Sequence, residues 1–180
     1  MSTTAVEMGT TKAYQDKLLA LLGDRDPIAV FTETPQIIRR IAAENSAEVL
    51  HARPFPGKWT PCEVIGHLCD SEWVYGYRIR LILCEKEPTI IGMGQEDWVT
   101  GQRYNERDPR ELAEQFAALR GFNLHIWRNL SEADKGRGGV HNERGRETLG
   151  LMLKMEAGHD LSHIDQITRY VAAVKAARGG

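Results

Sequence analysis

"TPCEVIGHLCDSEWVYGYRIRLILCEK", residues 60–86, opens on a helix-start signal and then runs without a proline until Pro88. Thr60 can cap the helix, Pro61 suits its first position, and Glu63 can reach back to complete a capping box. The stretch therefore predicts one helix to about Lys86, roughly 39 Å long at 1.5 Å per residue. Val64, His67, Leu68, Ser71, Val74, Tyr75 and Arg78 share its general inner face.

The rest of the chain reads outward from this helix. "DPRE", residues 108–111, repeats the start signal, and Leu112, Phe116, Leu119, Phe122, Leu124, Ile126 and Trp127 supply an apolar stripe as far as Leu130. Thr148 is a cap for a last helix from Leu149 to about Ala177. Upstream, Thr34 and Pro35 signal a helix running to about Leu50, which "HARPFPGKW", residues 51–59, then breaks. Residues 1–10 read as frayed, followed by a short helix from about Lys12 to Leu22 that ends at "GDRDP". Between Pro88 and Arg107 only one short helix is expected, around Glu96–Gln102, and the Gly- and Arg-containing segment at 136–146 reads as a solvated loop. With four long helices and no convincing alternating strand, the fold class is all-α: residues 1–33 form an extension with an extra short N-terminal helix, and residues 34–177 a four-helix bundle.

Composition narrows the function classes. The chain has 180 residues, a net charge of −2 and mixed acid and base, with no basic block that would suit nucleic acid. No apolar run approaches the roughly 20 residues of a membrane span, and no signal peptide is visible. Three cysteines, Cys62, Cys69 and Cys84, lack paired spacing, which argues against disulfides and thiolate zinc sites. A cytoplasmic protein with reduced thiols is expected.

The chemistry sits in the histidines. "GHDLSHIDQI", residues 158–167, places His159 and His163 four apart, on one helix face about 5–6 Å from each other. Met152 and Met155 lead into that face, so it looks inward, where imidazoles need partners and a metal is an efficient one. His67 is the third candidate. Three imidazoles from two helices would leave coordination open for water or substrate, as a catalytic site requires.

The segments "GKWTPCEVIGHLCDSEWVYGYRIRLIL" and "GRETLGLMLKMEAGHDLSHIDQI", with "DPRELAEQFAALR" between them, resemble the DinB-like superfamily, also called YfiT-like metal-dependent hydrolases. The likeness covers about residues 35–172 and rests on a GxH after a capped Trp-Thr start together with HDxxHxxQI on the last helix. It implies an up-down-down-up four-helix bundle that is often a homodimer and binds a divalent ion through His67, His159 and His163. An all-imidazole set suits zinc, nickel or iron, with zinc or nickel favoured.

Around the ligands, Glu156 lies three residues before His159 and is a candidate general base, while Gln166 could orient a ligand. Arg78, almost three turns after His67, shares its face and could meet a substrate anion or a glutamate on a neighbouring helix. Glu63 is expected in the capping box, and Asp160 and Asp165 pointing sideways. Cys69 is not expected as a ligand; His141, in the Gly-rich loop, is a remote candidate, and His51 is expected to be exposed. These readings give an enzyme acting on a small molecule, either a hydrolase or a low-molecular-weight thiol S-transferase. The rivals are a non-catalytic metal-binding or stress-related bundle, and a structural bundle whose histidines are core polar residues.

Overall fold

A computed structural model describes the backbone of residues 5–179 and the side chains of residues 12–179. Four helices make the core: α2 (Pro27–Glu44), α4 (Pro61–Cys84), α6 (Pro109–Arg128) and α8 (Leu149–Arg178). α1 (Ala5–Leu22) lies along α8, and α3 (Ala47–Leu50), α5 (Gln95–Gly101) and α7 (Glu132–Gly136) fill the connections, with a 3-10 turn at Tyr104–Glu106. Around the bundle the order of neighbours is α2, α6, α4, α8, so α2 faces α4 across the diagonal and α6 faces α8.

The core contacts give the directions. Ile65 and Leu68, early in α4, meet Ile167 and Tyr170, late in α8, so those helices are antiparallel. The same early part of α4 meets Leu112 and Phe116, early in α6, so these two run parallel. Ile79 and Ile82 continue the pattern with Leu124, Trp127 and Leu149. This is the up-down-down-up arrangement. The parallel pair α4 and α6 needs a long return, and residues 85–108 supply it.

Start signals act as the sequence predicts at three of the four core helices. Thr60 accepts from the Glu63 amide at 3.1 Å while the Thr60 amide donates to Glu63 Oε2 at 2.7 Å, a complete capping box. Asp108 caps α6 through the Arg110 amide, and Thr148 caps α8 through the Leu151 amide. Because one cap hydroxyl holds the whole start of α4, Thr60→Ala is expected to lower stability by about 1 kcal/mol, read from urea unfolding. An unchanged midpoint would mean that Pro61 alone fixes the start.

α2 departs from the expectation. It starts at Pro27 with Asp26 as its cap, the Asp26 side chain accepting from the Ile28 amide at 3.0 Å. Thr34 and Pro35 lie buried inside the helix, so residue 34 is not a helix start. Pro35 lacks the N–H that would bond the Phe31 carbonyl. Arg120 donates to that carbonyl instead, through Nη1 at 3.4 Å. At its other end α2 stops at Glu44, and the four-residue α3 follows.

Two further corrections concern short elements. The first helix spans 18 residues from Ala5 rather than starting near Lys12, so fraying through residue 10 does not hold from Ala5 onward; residues 1–4 lie outside the described residues. The segment read as a solvated loop forms the hairpin of β2 (Gly138–His141) and β3 (Gly145–Thr148), with β1 (Thr89–Ile90) parallel to β2. This three-stranded sheet closes one end of the bundle's long connection, and both His141 and Glu147 are buried in it. Among the described residues, no helix is long and apolar enough to cross a membrane.

Candidate metal centre

His67 sits on the second turn of α4, and His159 and His163 sit one turn apart in the middle of α8. Antiparallel packing of α4 on α8 brings the three rings together. His159 Nε2 lies 3.2 Å from His67 Nε2 and 2.9 Å from His163 Nε2. The three ligand-capable atoms fall within 4.8 Å of one another. Trp59 packs its ring 5.0 Å from that of His67.

A glycine precedes two of these histidines, each for a close approach. A Cβ on Gly66 would come within 2.1 Å of the Tyr104 ring, and one on Gly158 within 2.1 Å of the Leu18 carbonyl oxygen. The two glycines therefore set how closely Tyr104 packs on α4 and α1 packs on α8.

The protonation states suit ligation. Burial pushes His67 down to about 3 and His163 to about 4, and holds His159 well below the usual imidazole value. Neutral imidazole is the form that binds metal. His163 Nδ1 faces Gln166 Oε1 at 2.7 Å, while the Gln166 amide nitrogen donates to Tyr170 Oη at 3.1 Å. With Nδ1–H given to Gln166, the Nε2 of His163 carries a lone pair. Among the described residues, the Nδ1 atoms of His67 and His159 have no hydrogen-bond partner.

Proton accounting then tests the fit of a cation. His159 Nε2 touches two other Nε2 atoms, and one ring nitrogen carries at most one proton. A linear hydrogen bond can serve only one of the two contacts, leaving the other nitrogen unserved in a buried place. One cation at the meeting point serves all three lone pairs. Tetrahedral ligands about 2.0–2.1 Å from a zinc ion lie roughly 3.3 Å apart, close to the observed spacing. The donor set fits a borderline divalent ion.

A cavity of about 110 Å³ reaches His67 and His159, walled by Ser71, Val74 and Arg78 of α4, Met155 of α8, Tyr14 and Leu18 of α1, and Glu143 and Arg144 of the hairpin. Arg78 is 5% exposed and donates through Nη2 to the Ile91 carbonyl at 2.8 Å. It has no carboxylate ion-pair partner among the described residues, so the paired-glutamate alternative is not what the fold provides.

Glu156 lies elsewhere. It is fully buried beside Glu72, Arg120 and Asp160, is not in the cavity wall, and its carboxyl is pushed well up by burial and by Glu72. That environment favours the neutral acid, which does not suit the general-base role expected of it. Asp160 points away from the site and into Arg120, and Asp165 is exposed and paired with Arg169. Cys69 donates to the Leu112 carbonyl and stands apart from the trio. His141 accepts from the Glu143 amide within the hairpin and is not among the three converging histidines. His51 is half-buried rather than exposed, its Nε2 against the Arg107 carbonyl at 2.9 Å.

The sequence reading missed one buried cluster altogether. Arg120, 1% exposed, reaches Glu72 through Nε at 2.5 Å and Asp160 through Nη1 and Nη2 at 2.6 and 3.0 Å. Asn123 donates to the other Glu72 oxygen at 2.9 Å. The signal lay in the α6 stripe: Arg120 and Asn123 occupy core positions between Phe116 and Trp127, where a charge must have buried partners.

The bundle agrees with a comparison across known proteins. The family pattern of the DinB superfamily matches residues 31–167. The chain belongs to the DinB superfamily. A relative from Oceanobacillus iheyensis, named "Putative metal-dependent hydrolase", is 28% identical over 137 residues, covering 76% of this chain and 78% of the relative. Another relative of the same name, YfiT from Bacillus subtilis, is 24% identical over 147 residues, 79% of this chain and 82% of its own. The solved structure of Bacillus subtilis YfiT, described as having an unusual four-helix bundle topology, superposes with a TM-score of 0.72 at 24% identity. It covers 79% of this chain and 84% of its own. The shared fold is thus an all-α four-helix-bundle core with extra short helices. Within this DinB superfamily member, the three-histidine cluster suggests a divalent-metal site.

Proposed function

We propose that this chain is a metal-dependent enzyme in which His67, His159 and His163 hold one divalent ion, zinc or nickel before iron, through their Nε2 atoms. The observation that carries it is the convergence of three neutral imidazoles, two buried and one half-buried, whose Nε2 lone pairs cannot all be served by one another. Such an ion supplies Lewis acidity, which polarises an oxygen or sulfur atom of a reactant. The protein's own residues do the rest. Gln166, held by Tyr170, fixes the tautomer of His163. Val74, Met155 and Leu18 limit the water that reaches the cavity.

The relatives' names favour hydrolysis of a small molecule as the reaction. One observation favours transfer of a low-molecular-weight thiol instead: Glu156 is buried beside Arg120 and outside the cavity wall, and a thiol bound to a divalent ion would release its proton to solvent without a protein base. Single-turnover assays with a thiol donor, present or absent, separate the two.

The test of the site is elemental analysis of protein purified without a metal-affinity tag, beside His67→Ala. About one equivalent of metal is expected in the parent and little in the variant. Absence of metal from both, with no thermal shift on adding zinc or nickel, would leave a bundle with polar core histidines. Gln166→Leu should keep the fold and weaken metal affinity by about 10–100-fold, measured by competition with a chelator, because His163 loses the acceptor that orients it. Equal affinity would remove Gln166 from the site. For the homodimer, α4 and the residue that follows β1 offer an outer apolar face, with Trp73, Tyr77 and Ile91 exposed by 62%, 58% and 74%. Sedimentation of Trp73→Glu beside the parent tests it, the expected result being loss of the dimer.

A further inference from the structure

Arg78 is a charged group buried in a cavity wall without an opposite charge to hold it. Taking a guanidinium out of water is unfavourable unless its donors are served, and its planar fork matches a carboxylate. Among the described residues, only one of its donors, on Nη2, has a hydrogen bond, to the Ile91 carbonyl. Nε and Nη1 are not among the buried atoms that lack partners, so they border open space. Its other neighbour is the Tyr75 ring, 5.4 Å from the guanidinium carbon to the ring centre. No carboxylate among the described residues reaches ion-pair distance of Arg78; Glu147 and Glu156 act on it only from farther away. Arg144 is held by Glu147 through two bonds, at 2.5 and 2.9 Å, and Glu147 also accepts from Gln15 at 3.0 Å. Glu143 is exposed, packed against Gly92.

We infer that Arg78 anchors the substrate, and that the substrate class is a small carboxylate whose acid group enters the cavity between Arg78 and the three histidines. The assignment rests on the metal-site reading for its chemistry, since the anchored molecule presents its reacting atom to that centre. The cavity sets the size: about 110 Å³ is somewhat below the 150 Å³ or so that admits benzene. It holds a head group of a few heavy atoms, with any larger remainder leaving past Glu143 and Arg144. Arg78 acts as a binding residue here, and its bond to Ile91 keeps the fork aimed.

Acetate is the probe. Protein as purified, with its metal content measured on the same sample, is titrated with ¹³C-labelled acetate and line broadening is followed for the parent, Arg78→Met and Arg78→Lys. The parent should bind acetate, the methionine variant about tenfold or more weakly, and the lysine variant between the two, because it keeps the charge and loses the fork. The Arg78 Nε–H resonance of ¹⁵N-labelled parent, assigned by its absence from the lysine variant, should shift with acetate in the same range. That reading needs no folded methionine variant. Equal binding by the parent and a folded Arg78→Met, or an Nε–H resonance that does not move, would overturn the proposal. A sample that lacks metal yet shows the Arg78-dependent shift would overturn the metal reading and leave the anchor standing.

Discussion

Arg120→Met is expected to destabilise the protein by about 3–5 kcal/mol, enough to unfold much of a domain of ordinary stability. The side chain lies between the Phe31 and Phe116 rings, 4.2 and 5.1 Å from their centres, and its guanidinium meets carboxylates from α4 and α8 and a carbonyl from α2. One residue thus ties all four core helices at a single level. Methionine fills much of the volume but leaves Glu72 and Asp160 without a counter-charge, beside Glu156. Most of the loss comes from those stranded carboxylates rather than from the missing attraction, so the triple variant Arg120→Met, Glu72→Gln, Asp160→Asn should recover a large part of it. Urea unfolding of the two variants reads this directly. A loss under about 1 kcal/mol for the single change would mean that water reaches the cluster.

Gly158→Ala should also destabilise, against the ordinary preference of helices for alanine. In an open helix the change would gain about 0.5–1 kcal/mol. Here the new methyl would sit 2.1 Å from the Leu18 oxygen and 2.7 Å from its carbon. Those are backbone atoms and no rotamer change relieves them, so α1 as a whole must move off α8. Overpacking of this kind costs about 1–3 kcal/mol. Amide hydrogen exchange should quicken across residues 12–22 and hardly change in α6. A more stable variant with unchanged exchange would show that α1 yields freely, and that Tyr14 and Leu18 are loose parts of the cavity wall.

What could be read without coordinates was what neighbouring residues encode. Thr60-Pro61 and Asp108-Pro109 are self-contained signals, and His159 and His163 share a face by helical arithmetic alone. The start of α2 was hidden by competition: Asp26-Pro27 carries the same signal but looked like the end of the preceding helix, while Thr34-Pro35 looked like a beginning. The carbonyl that Pro35 strands is served by Arg120, far along the chain. The hairpin escaped because strands of four residues, GGVH with two glycines and GRET with one, carry little periodicity. Glu156 stands close to His159 in sequence, yet it is buried beside Glu72 and Arg120 rather than in the cavity wall; only the packing of α4 and α6 decides that.

The diagonal order of the bundle bears on how quickly the molecule assembles. In a simple up-and-down bundle each helix finds its partner next along the chain. Here consecutive core helices α2 and α4 sit across from each other, as do α6 and α8, and the His67–His159 contact spans 92 residues. Contacts so distant must close large loops before they return any stabilisation, which slows folding relative to helical proteins of local topology. The histidine trio should therefore be among the last features to form. In refolding, helical signal should recover before the protein becomes able to bind added zinc, and zinc should act on the slow phase alone.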